Sequence, residues 1–147
     1  VKYYPFVGSL VDAQINIIGN DHTFRAVIHS DGTAQTASSV TSCSQIPSAN
    51  GYPGTNSITY VMSPTTAVGV TSSTGIAFQP TGDTTWTAAG GTLGGVTNGR
   101  YFSIYDDTPT TPVADPLMCQ FDYGAPFTVA SGETMTLDYD TNLFTLA

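Results

Sequence analysis

Positive charge is what this chain has least of. Its 147 residues carry three Lys and Arg against eleven acids, for a formal net charge of −8. Binding a nucleic-acid backbone draws on counterion release by clustered cations, so nucleic acid is not an expected partner. The same shortage removes a polybasic contact with a membrane surface. No apolar run approaches the roughly 20 residues of a membrane-spanning helix. The opening VKYYPF has neither the basic n-region nor the apolar h-region of a secretory signal. The expected protein is soluble, with no membrane partner.

Chemistry-bearing residues are equally scarce. Glu133 is the sole Glu, His22 and His29 the only His, and Cys43 and Cys119 the only thiols. No Cys-x-x-Cys or His-x-x-x-His spacing offers a zinc site. No G-x-S-x-G elbow is present, and the Gly-x-x-Gly fragments near 91–95 lack the Lys of a phosphate loop. A Cys43–Cys119 bond would be credited with about 4–5 kcal/mol by the chain-entropy model. Cys119 alternates with Leu117 and Phe121 on an expected inward face, and Cys43 lies in the polar SSVTSCSQ. Two idle thiols are the favoured reading, and the redox state stays open.

What the chain has in quantity is Thr, 24 of them, with 15 Gly and 9 Pro. Thr is β-branched and suits a half-exposed pleated surface. Thr23–His29 alternates as a strand, and further strands are expected near 58–62, 67–71, 75–79 and 84–88. The last third is clearest: RYFSIYDDT, PLMCQFDYG and FTVASGETMTLDYDTNLFTLA alternate apolar with polar between turns. Leu117, Cys119, Phe121 and Tyr123 are expected on one face, and Met135, Leu137 and Tyr139 on another. Residues 30–56 form a long polar excursion, expected to pack through Ile46 and Tyr52 and to turn at Asn50-Gly51 and Pro53-Gly54. VGSLVDAQINIIG fits a short helix or turn leading into a strand. Residues 1–147 therefore read as a single all-β domain, a β-sandwich or jelly-roll-like fold with a possible short N-terminal helix.

Carboxylates are the remaining candidates for chemistry. A glycosidase needs one acid of raised pKa and a second carboxylate at fixed separation. Glu133 falls in a turn and the Asp residues read as solvated, so no catalytic residue is assigned and a non-enzyme is expected. Asp106, Asp107 and Asp115 are the candidate oxygen cage for Ca²⁺, although no D-x-[DN]-x-[DN]-G loop occurs. No cofactor is assigned, and whether calcium binds there stays open. Trp86 and the Tyr residues either stack on sugars or fill the core and interfaces, and the second is favoured.

The order NGY (50–52), TTWTAAGG (84–91), RYFSIYDDT (100–108), DPLMCQFDYG (115–124), FTVASGETMTLDYD (127–140) and a final LFTLA resembles small virion proteins of tailed bacteriophages. The resemblance spans most of residues 20–147 and rests on strand and turn patterns, strongest from Thr84 onward. The stretch GYPGTNSITY departs from the Gly-Gly that follows the Gly-Tyr in that pattern. It implies a capsid decoration (cement) protein, a homotrimer on the capsid exterior that clamps the major capsid protein and is made in the host cytoplasm. The arm Lys2, Tyr3, Tyr4, Pro5 and Phe6 (within residues 1–6) and the excursion 30–56 are the expected contact segments. The alternative is a tail-fibre or tail-tip module binding a glycan or receptor through Trp86 and exposed Tyr. An enzyme acting on polysaccharide ranks last.

Overall fold

A computed structural model describes residues 22–30, 39–54, 56–58, 60–63, 76–95, 98–108, 113–139 and 144–146. It is all-β, as the Thr-rich alternation predicts. The strands are β1 (Phe24–His29), β2 (Asn56–Ile58), β3 (Tyr60–Ser63), β4 (Ile76–Pro80), β5 (Thr84–Thr87), β6 (Gly99–Asp106), β7 (Leu117–Phe127), β8 (Thr134–Leu137) and β9 (Phe144–Leu146). All described pairings are antiparallel, in sheets ordered β2-β1-β6-β7, β3-β4-β9 and β5-β8. The expected strand at 67–71, the N-terminal helix, the Thr141-Asn142 turn and the arm Lys2–Phe6 lie outside the described residues.

Period-two patterning sets the faces. In β1, Phe24, Ala26 and Ile28 join one core cluster, and Val27 joins another on the opposite face. In β5, Thr84 and Trp86 are buried while Thr85 and Thr87 are exposed. Opposite them in β8, Met135 and Leu137 pack on the core while Thr134 and Thr136 face water. The Thr87 and Thr134 hydroxyls, on directly paired residues, lie 2.9 Å apart. Cross-strand Thr pairs of this kind are one source of sheet stability.

The β5–β8 ribbon forms a second layer on one face of the four-stranded sheet. Trp86 stacks on Phe102 of β6 at 6.0 Å between ring centres, and Phe102 stacks on Phe127 of β7 at 5.4 Å. Tyr52 completes the row 6.1 Å from Trp86. The other face carries Val27, Tyr105, Leu117 and Val40, with Cys43 packed against them. Val40 arrives on a short 3₁₀ turn, Val40–Ser42, whose first turn is capped by the Ser39 hydroxyl accepting from the Thr41 N–H.

One expectation is corrected in β7. Leu117, Cys119, Phe121 and Tyr123 do not share an inward face. Ile104 pairs with Cys119 but Tyr105 pairs with Leu117, so Met118 is an extra residue, a β-bulge. The bulge sends Leu117 to the second cluster and leaves Met118 and Cys119 in the first. Farther along, Phe121 and Tyr123 are 36% and 60% exposed.

The polar excursion packs as expected through Ile46 and Tyr52, both buried. Beyond the reach of β2, the Ile28 N–H donates to the Tyr52 hydroxyl at 2.8 Å and the Ile28 carbonyl accepts from the Ile46 N–H at 3.1 Å. A buried backbone donor left unpaired costs about 1–3 kcal/mol, so Tyr52 closes the sheet as well as filling the core. The turn at Asn50-Gly51 welds this loop to the loop after β5. The Ala89 N–H donates to the Asn50 carbonyl at 3.0 Å, and the Asn50 side chain donates to the Thr92 carbonyl at 2.8 Å.

Gly51 has φ of +88°, and a Cβ there would run into the Thr87 carbonyl oxygen. Gly51→Ala is expected to lower the unfolding free energy by about 2–4 kcal/mol, from left-handed strain plus displacement of backbone. Urea denaturation checks this, and a loss below about 0.5 kcal/mol would contradict the weld.

Candidate functional site

The acids singled out in the sequence gather at one end of the four-stranded sheet, where β1 begins and β6 ends. Antiparallel register puts Phe24 opposite Asp106 and Arg25 opposite Tyr105. The backbone is stitched across this end: the Asp107 N–H donates to the Thr23 carbonyl at 2.8 Å, and the Thr23 N–H donates to the Thr108 hydroxyl at 2.7 Å. Register therefore brings His22 and Arg25 against Asp106 and Asp107, residues more than 80 positions away.

Asp106 corrects the expectation that the Asp residues are solvated. Its side chain is fully buried, with Oδ2 beside His22 Nδ1 and Oδ1 accepting from the Thr108 N–H at 3.1 Å. It lies at the end of a strand whose alternation turns it inward. Burial pushes its carboxyl pKa above the ordinary Asp value, opposed by the Thr108 and His22 contacts. Asp107 pairs with Arg25 at 2.6 Å on a half-exposed surface. Asp115 is also raised, first by desolvation and then by the charge of Asp107.

The calcium cage receives no support from this geometry. Asp106 and Asp107 turn to His22 and Arg25, and among the described residues no group of three His, Cys, Asp or Glu side chains could hold a metal ion. Zinc fares the same: His22 engages Asp106, while His29 is buried in β1. No disulfide joins the two thiols, which pack on opposite faces of the sheet, Cys119 in the first cluster and Cys43 against the second. Burial pushes the Cys119 thiol up to about 12, which leaves it a hydrophobe.

The aromatics divide as the favoured reading has it. Trp86, at 2% exposure, is in the core, as are Tyr52, Tyr101 and Tyr105. Trp86 therefore offers no sugar-stacking surface. The side chains of Tyr3, Tyr4 and Tyr60 lie outside the described residues. The exposed ring that sequence reading missed is Tyr123; the signal was the Gly124 and Pro126 that follow it and break the alternation. Pairing between β6 and β7 is interrupted from Asp122 to Phe127, Gly124 has φ of +92°, and residues 123–126 are exposed. The Asp122 carboxylate takes Arg100 in a bidentate pair at 2.9 and 3.0 Å and accepts from the Gly124 N–H at 2.8 Å, which lowers its pKa. Glu133 sits in the expected Ser131-Gly132 turn, accepting from the Ala130 N–H.

No protein-family model, curated protein or solved structure matches this chain. Among the described residues, no helix is long and apolar enough to cross a membrane.

The raised pKa of Asp106 sets a pH dependence. Both states are protonated well below pH 4. As pH rises, the unfolded chain releases its proton first, so stability falls until the folded pKa is passed and is then level. Asp106→Asn removes that loss. The stability of the Asn variant relative to the parent is expected to improve as pH rises from about 3 to 7, measured by urea unfolding across that range. A gap moving the other way would contradict the burial cost.

Proposed function

We propose that this chain is a non-enzymatic structural protein of a tailed-phage particle, a decoration protein that attaches to the capsid exterior and ties major capsid subunits together. The observation that carries the reading is the engagement of its acids. Two of the carboxylates that a hydrolase or a cation site would use at the head of the sheet are taken by structural partners, Asp106 by His22 and Asp107 by Arg25. What the described surface offers instead is rows of Thr and an aromatic edge, with a stiff ring-packed core beneath. Such a surface is suited to repeated contact, in which modest affinities multiply along a lattice. The resemblance of Thr84–Asp140 to small virion proteins points the same way.

A glycan- or receptor-binding tail module is the second reading. It draws on Tyr123 in place of the buried Trp86, because Tyr123 presents an exposed ring.

Cryo-electron microscopy of the intact particle tests the proposal. Density for this chain on the capsid exterior is the expected result, and density at the tail tip would favour the second reading. Deleting residues 1–6, which contain the arm Lys2–Phe6, is expected to leave the domain folded and weaken attachment to undecorated capsids by at least about tenfold. Unchanged attachment in a co-sedimentation assay would remove the arm from the account.

A further inference from the structure

Among the described residues the exposed large hydrophobics are Phe121 and Tyr123, and both stand on β7. In the described sheet β7 is an edge strand. Phe121 lies opposite the buried Phe102 in the register. The Tyr123 ring meets Phe127 edge-on at 5.2 Å, and Phe127 in turn stacks on Phe102. Tyr123 is thereby the outer end of the aromatic row that fills the core. Its orientation is set before any partner arrives, which lowers the ordering cost of a contact. Well-held aromatic rings are also the side chains most often found as interface anchors.

The edge is not shaped for strand addition. Pairing is already broken from Asp122 to Phe127, Gly124 holds a left-handed φ, and Pro126 has no N–H to donate. Bulges and Pro on an edge oppose backbone pairing with another chain. Contact here is made by side chains.

Charge selects the occupant. Arg25 sits near Asp107 and Asp115, where acids outnumber it. Arg100 instead has Asp122 as its charged neighbour, so this edge is balanced on a chain of net charge −8. A polyanion is repelled by the whole molecule, and a basic partner is drawn to its acidic parts rather than to a neutral edge. A second copy meets least repulsion where charge is balanced. Adjacent residues of opposite sign are self-complementary, as a two-fold contact requires.

We propose that the β7 edge docks a second copy of this chain across a two-fold axis, with Phe121 and Tyr123 at its centre and each Arg100 shared with Asp122 of the other copy. The contact belongs to the isolated chain and does not depend on a phage particle, so its failure and that of the decoration reading are separately visible.

Sedimentation equilibrium of the full chain tests it. The parent is expected to dimerise. The Phe121→Ser, Tyr123→Ser double variant is expected to associate about tenfold or more weakly. Arg100→Glu and Asp122→Arg, each alone, place like charges face to face and should sediment as monomers. An equimolar mixture of those two variants should restore a mixed dimer, which a merely misfolded variant would not do. A monomeric parent, an oligomer whose mass none of these substitutions changes, or a mixture that stays monomeric would overturn the proposal.

Discussion

A row of aromatic rings holds this fold together. Tyr52 comes from the polar excursion, Trp86 from β5, Phe102 from β6 and Phe127 from β7, with successive ring centres 6.1, 6.0 and 5.4 Å apart. Stacked and tilted ring pairs contribute about 0.5–1.5 kcal/mol each beyond their buried area. More important is what the row connects: the second β layer, the four-stranded sheet and a long loop each contribute a ring to it. Among the described residues the Trp86 indole N–H has no hydrogen-bond partner. The ring is placed for the packing of its faces, at a cost in unmet hydrogen bonding. Gly99 shows how tight this packing is, since a Cβ there would press on Phe127 and on Ile28.

Charge plays a smaller and local part. Three described ion pairs cross between strands: His22–Asp106 and Arg25–Asp107 where β1 starts, and Arg100–Asp122 at the β7 edge. The two arginine pairs are half exposed and stabilise weakly. The buried Asp106 is different in kind. Its desolvation opposes the charged form, and the Thr108 and His22 contacts offset part of that cost. Its position fixes how β1 enters the sheet. A chain with so few cations has committed both of its arginines to clasps within the fold.

Much of the architecture was legible because alternation is a local signal. The strand positions at 24–29, 84–87 and 134–137, the inward Ile46 and Tyr52, and the turns at Asn50-Gly51 and Ser131-Gly132 follow from residue type and spacing. Two features were not. Period-two counting carries Leu117 and Cys119 onto one face, and one extra residue, Met118, undoes it; nothing in LMCQF marks where register slips. The meeting of His22 with Asp106 depends on β1 pairing with β6 across 84 positions, which spacing along the chain does not encode. The candidate contact edge was hidden by a second irregularity, because Tyr123 was counted inward although Gly124 and Pro126 break the pairing beside it.

The decoration reading and the β7 contact both require a rigid domain that presents fixed surfaces. That rigidity rests on the ring row, so the most direct test compares two neighbours on β5. Trp86→Ala is expected to lower the unfolding free energy by about 3–5 kcal/mol, whereas Thr85→Ala, on the exposed face of the same strand, should change it by less than about 1 kcal/mol. Equal losses at the two positions, or a loss below about 1 kcal/mol at Trp86, would contradict the claim that the rings hold the layers together.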